Sequence, residues 1–200
     1  MRRCLAFVVS VGIVASGVAA AVTSNVIKGT ARNDTLVGTS EDDKMYGFAG
    51  NDSINGRAGF DLVRGGPGND RLEGYTDEDR LYGEAGRDNI RGGTENDILL
   101  GGVGEDNIRG DAGEDTIYGD ADTDFIEGGD GDDRIYGGPG KDLIRGGDGD
   151  DSIYGTPNDV IFCDEGERDH VTIAGAKGKN TEVIRGVLER FGCEYTSFIP

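Results

Sequence analysis

From residue 29 to residue 154 an apolar side chain recurs every nine residues. Leu36, Met45, Ile54 and Val63 begin the series and Ile126, Ile135, Ile144 and Ile153 end it. Cut at Gly29, the stretch falls into fourteen nonapeptides without insertion, from GTARNDTLV to GGDGDDSIY, and the eighth position is aliphatic or Met in all fourteen. A nine-residue period fits neither an amphipathic helix nor a simple alternating strand, and it marks a structural repeat. Gly holds the first position of all fourteen units and the fourth of nine. The first half of the unit therefore predicts a turn. Positions seven to nine predict a three-residue strand with only position eight pointing inward.

One apolar residue in nine cannot fill an ordinary core. It suffices if the chain coils so that successive position-eight side chains stack in a thin column. Two units per turn give an 18-residue coil and about seven turns, roughly 34 Å of stacked strands at ~4.8 Å each. The expected fold is all-β, a coil of stacked strands over residues 25–154.

Position six changes the chemistry. It is Asp in every unit: Asp34, Asp43, Asp52, Asp61, Asp70, Asp79, Asp88, Asp97, Asp106, Asp115, Asp124, Asp133, Asp142 and Asp151. Coiling sets these carboxylates in files a few ångströms apart, within repeats that carry 31 acidic against 12 basic residues. Such files repel unless a cation sits between them. Carboxylates plus the carbonyls of Gly-rich turns form an all-oxygen donor set. That set suits calcium better than magnesium, which keeps its waters, or zinc, which prefers His and Cys. The formal net charge of −19 argues against nucleic acid or an anionic membrane as partner.

GGPGNDRLE at 65–73 and GGDGDDRIY at 128–136 resemble the glycine-rich nonapeptide of RTX (haemolysin-type) calcium-binding repeats. The resemblance spans 126 of the 200 residues. It implies a β-roll with Ca²⁺ held between turns two units apart, position-six carboxylates and turn carbonyls being the ligands. The roll so implied is parallel, a right-handed solenoid, and its seven units a side leave at most six gaps each, or twelve ions. Gly50, Gly68, Gly86 and Gly104 keep the family glycine on one side, beside Asp52 to Asp106; Gly113, Gly131 and Gly149 keep it on the other, and Gly140 also conforms. Arg32, Glu41, Asp77, Glu95 and Asp122 depart from it, so the N-terminal gaps are expected to be weak or empty.

The ends carry other signals. Met1-Arg2-Arg3, the apolar run Leu5–Val14 and small residues up to Ala21 form the layout of a secretory signal peptide, with cleavage after Ala20 or Ala21. Residues 1–24 are thus read as an address and short lead-in, and the mature protein as secreted, with no membrane span. Residues 155–200 are read as a C-terminal cap. Asn158–Phe162 looks like a shortened last unit, and Ile184, Val187, Leu188 and Phe191 share one face of an expected helix that Gly192 ends. Cys163 and Cys193 are left as an even pair, expected to form one disulfide in an oxidising exterior.

No HExxH or GxSxG motif is present, so no catalytic residue is assigned. The expected protein is a calcium-binding β-roll that folds on meeting calcium outside the cell and serves a structural or surface role. The alternative is a calcium-dependent adhesion module for a cell-surface or matrix partner. It rests on position nine of the even units, where Tyr46, Tyr82, Tyr118, Tyr136 and Tyr154 fall in one file with Arg64 and Leu100. Stacking of that file along the roll is the competing explanation.

Overall fold

The computed structural model describes residues 25–163, 168–174 and the backbone of 194–199. The expected signal peptide, the expected helix and Cys193 lie outside the described residues. Among the described residues the chain is all strand and turn, with no helix.

Two parallel sheets form, because consecutive units lie on opposite sides of the coil. One has ten strands, from Asn25–Lys28 through His170–Ala174 to Glu194–Ile199; the other has eight, from Thr35–Val37 to Val160–Phe162. Partners lie 18 residues apart over most of the ladder, as in Ile54↔Leu72 and Ile108↔Ile126. Most interior strands are six residues long, such as Ser53–Ala58 and Asn107–Ala112. They run from position seven through position three of the next unit, twice the length that the pattern predicts. Gly at position one does not end the strand, because its extended backbone continues the ladder.

Position eight forms two facing columns, with Met45, Val63, Leu81, Leu99, Ile117, Ile135 and Ile153 on one sheet and Leu36, Ile54, Leu72, Ile90, Ile108, Ile126 and Ile144 on the other. All fourteen are at most 3% exposed. Each side chain packs between its counterparts one turn above and below, so the core is one residue thick in each sheet. Position eight is not alone inside. Position-one glycines are buried as well from Gly38 onward, and so are the aspartates of position six from Asp43 onward.

The coil does not stop at residue 154. Val160–Phe162 continues the eight-stranded sheet one residue out of phase, with Ile144 opposite Ile161. His170–Ala174 continues the ten-stranded one, with Ile153 opposite Val171. This makes about eight turns where the repeat count predicts seven. The deletion in Gly155–Phe162 breaks the nine-residue period while the inward Asp159 and Ile161 keep their roles. Cys163 is buried at the end of that strand.

Candidate metal centre

Each interior aspartate is held by one turn and aimed at another. The backbone N–H of Asp52 donates to Oδ1 of Asp70 at 2.7 Å, Asp70 N–H to Asp88 Oδ1 at 2.7 Å, and Asp88 N–H to Asp106 Oδ1 at 2.8 Å. On the opposite flank Asp61, Asp79, Asp97 and Asp115 repeat the pattern at 2.7–2.8 Å. The link runs without a break from Asp34 to Asp159 on one flank and from Asp43 to Asp169 on the other. It uses one oxygen of each carboxylate. The other oxygen, Oδ2, has no hydrogen-bond partner in Asp52, Asp61, Asp70, Asp79, Asp88, Asp97, Asp106, Asp115, Asp124, Asp133 and Asp142, all at most 3% exposed.

The orphaned oxygen lies against the glycine track. A Cβ placed on Gly110 would stand 2.1 Å from Asp115 Oδ2 and 2.5 Å from the carbonyl oxygen of Gly128 in the next turn. The same holds at every position-one glycine, where the Asp Oδ2 of the same unit lies 2.0–2.9 Å from that point. Position one is therefore Gly for space, not for dihedral freedom. The left-handed backbone falls at positions two and four instead. Position two has φ between 69° and 136° from Phe48 to Gly147, including Arg57, Tyr75 and Glu84. At position four Asp77, Glu95 and Asp122 adopt φ of 75°, 67° and 83°, left-handed like every glycine there except Gly140. Their departures from Gly leave the turn intact. Two of them add a hydrogen bond: Gly59 N–H donates to the Asp77 carboxylate at 3.0 Å, and Asp77 N–H to that of Glu95 at 3.0 Å.

Burial alone makes these carboxylates hard to ionise. Loss of water pushes Asp61, Asp70, Asp79, Asp88 and Asp124 up to about 7 and Asp97 and Asp133 up to about 8. Asp106, Asp115 and Asp142 reach about 6, and Asp52 is raised as well. The single backbone hydrogen bond opposes the shift, and neighbouring acids add to it. A buried carboxylate with one free oxygen is stabilised either by a proton or by a cation.

The surroundings decide which cations fit. Among the described residues no three His, Cys, Asp or Glu side chains converge on one point. An ion would draw its remaining ligands from backbone carbonyls, such as those of position one and position four that face the adjoining turn. Carboxylate and carbonyl oxygens without nitrogen or sulfur fit calcium, whose coordination number is flexible. Asp43, Asp61 and Asp79 also line a flank cavity of about 690 Å³ with Phe60 and Arg80.

Three features are absent from the pattern reading. The Asn or Asp at position five bonds the next turn: Asn51 N–H donates to Asn33 Oδ1 at 2.9 Å, Asn69 N–H to Asn51 at 3.0 Å and Arg87 N–H to Asn69 at 2.9 Å. Asn or Asp recurring at position five was its available signal. The second is threonine at position two, which closes the terminal turns. The third is charge on the rims. Positions three to five of the even units carry ten acidic and no basic residues, whereas those of the odd units carry two acidic and three basic.

The predicted tyrosine file is only partly continuous. Tyr118, Tyr136 and Tyr154 stack with centroids 4.8 and 4.6 Å apart and planes within 8°. Arg64 lies over Tyr82 at 5.0 Å, and Tyr46 stacks on Phe48 at 6.4 Å. The opposite face is a charge ladder that includes Arg109–Glu127 at 3.6 Å. No helix among the described residues is long and apolar enough to cross a membrane.

No curated protein matches the chain at a significant level. Against protein families, the model of the RTX calcium-binding nonapeptide repeat matches residues 28–63, 64–99, 91–126, 100–135 and 127–159. These matches cover the whole repeat array, and RTX nonapeptides bind Ca²⁺ ions. With its period, its aspartate files and two thirds of its length accounted for by that model, the chain belongs to the RTX calcium-binding repeat family, as a calcium-binding β-roll.

Proposed function

We propose that the chain is an exported structural protein whose roll is assembled by calcium outside the cell and which carries no catalytic centre. The observation that supports this most is the set of eleven buried, half-satisfied carboxylates from Asp52 to Asp142. Without a cation these groups oppose burial and one another. With calcium between turns they become the strongest ties along the roll. The ligands we assign are the position-six carboxylates and the turn carbonyls beside Gly50, Gly68, Gly86, Gly104, Gly113, Gly131, Gly140 and Gly149. The acidic rim of the even units draws cations to its flank most strongly at low ionic strength.

The N-terminal segment supports export, and export supplies the switch. Extracellular calcium sites bind at roughly 10⁻⁴–10⁻³ M, so such a roll is unmade inside a cell and made outside it. We assign residues 25–154 as the repeat array of the roll and 155–200 as the segment that adds its last coil and covers its end, fastened by a Cys163–Cys193 bridge. The buried position of Cys163 beside the last strand of the eight-stranded sheet fits that role. The aromatic file favours reinforcement of the roll over adhesion. Tyr118, Tyr136 and Tyr154 turn their ring faces to one another, and Arg64 covers Tyr82.

Limited proteolysis tests the switch. In chelator the chain should be cut throughout residues 29–154. At a few times ~10⁻³ M calcium the same segment should be protected as one block. Equal cutting under both conditions contradicts the proposal.

A further inference from the structure

Three turns satisfy their aspartate in a different way from the rest. In the first unit Asp34 Oδ2 accepts from the N–H of Thr30 at 2.6 Å and from its hydroxyl at 2.9 Å. In the second, Asp43 Oδ2 accepts from the N–H of Thr39 at 2.6 Å and its hydroxyl at 3.1 Å. In the shortened unit after residue 154, Asp159 Oδ2 accepts from the N–H of Thr156 at 2.6 Å, and its Oδ1 from the Thr156 hydroxyl at 3.0 Å. These are three of the outermost turns of the roll, two at its start and one near its end. Each carries Thr at position two, where none of the twelve units between them does.

The difference follows from the backbone. From Phe48 to Gly147 position two is left-handed, and from Asp52 to Asp142 the Oδ2 of the unit's aspartate receives no hydrogen bond. A β-branched residue resists that conformation. None of Thr30, Thr39 and Thr156 has a positive φ, and each closes its turn through a local Thr–Asp hydrogen-bond pair. In Asp34 and Asp43 the amide and hydroxyl both neutralise the Oδ2 that stays orphaned in the interior turns, and in Asp159 the amide alone does so. Asp43 keeps a partnerless Oδ1, the oxygen that in later units accepts from the backbone of the preceding turn.

We propose that the turns of Asp34, Asp43 and Asp159 hold no calcium, their threonines taking the place of the ion, so that the calcium files begin at Asp52 and Asp61. This inference rests on the reading that the interior carboxylates bind calcium. It turns the first coil and the Asp159 turn of the last coil into ion-independent ends that present a finished turn to the array. Two donors to one carboxylate leave little for a cation to gain there. An ion would first have to break both hydrogen bonds.

The calcium content of the full chain after equilibrium dialysis, measured by atomic emission, tests it with two variants. Thr30→Gly with Thr39→Gly restores the interior turn chemistry and should add about two ions per chain. Thr30→Ser with Thr39→Ser keeps both donors and should leave the count at the wild-type value. Equal, non-zero counts in all three proteins overturn this inference alone. Absence of calcium from all three overturns it together with the proposed function. If the glycine variant loses its far-UV signal, calcium-soaked crystals of the unmodified chain decide instead. Anomalous scattering confined to the interior turns supports the assignment, and an ion beside Asp34 or Asp43 overturns it.

Discussion

In chelator at pH 8 the chain is expected to be unfolded, and it is expected to regain the roll as the pH falls to about 5. The carboxylates from Asp61 to Asp142 are raised to about 6–8 in the fold, from an ordinary 3.8. A raised acid binds more protons folded than unfolded, so acid stabilises the metal-free roll. Its contribution is fully present below about 3.8 and is lost as the pH rises through 6 to 8. Ten such groups act together, which makes the effect large. With calcium present the dependence reverses, because the ion must displace the protons and its apparent affinity should climb through the same window. Circular dichroism in chelator across pH 5–8 reads the first effect. Equal disorder at both ends, or a stable roll at pH 8 without calcium, contradicts the account.

The second large effect is steric. Gly110→Ala places a methyl group 2.1 Å from Asp115 Oδ2 and 2.5 Å from the Gly128 carbonyl. The side chain can swing away, but the carbonyl belongs to the ladder and cannot move without breaking its neighbours. Overpacking of a tight interior typically costs about 1–3 kcal/mol, and the upper end applies where backbone is the obstacle. For a chain of this size that is a fall in melting temperature of roughly 6–12 °C in calcium. The displaced Asp115 should also raise the calcium midpoint. A variant that melts with the wild type contradicts the close approach of successive turns. The same substitution at other position-one glycines in the array should behave alike, since Gly92 and Gly128 face the same pair of oxygens.

The repeat was legible because its signals are periodic. Fourteen aliphatic residues at one phase can bury themselves only by stacking, and both columns formed by Leu36 to Ile153 follow from that argument. The need for a cation was legible for the same reason, since Asp at one phase has no other explanation in so acidic a chain. The direction of the carboxylates was not. Position six is separated from position eight by one residue, so it faces the same side of the coil. The inward–outward alternation extends beyond the predicted three-residue strand to Asp52 and its counterparts. The conformation of position two was hidden by its variety, because Phe48, Arg57 and Tyr75 carry no mark of a left-handed backbone. The end of the roll was hidden by one deleted residue. Asp159 and Ile161 keep the inward roles while the nine-residue count fails.

The most direct test of the calcium-assembled roll is a far-UV circular dichroism titration of the full chain with CaCl₂ at pH 8, with MgCl₂ as the control. The account predicts a cooperative passage from disordered chain to β structure with calcium and none with magnesium, which holds its waters too tightly for carbonyl-rich turns. A β spectrum already complete in chelator and unmoved by calcium would contradict it.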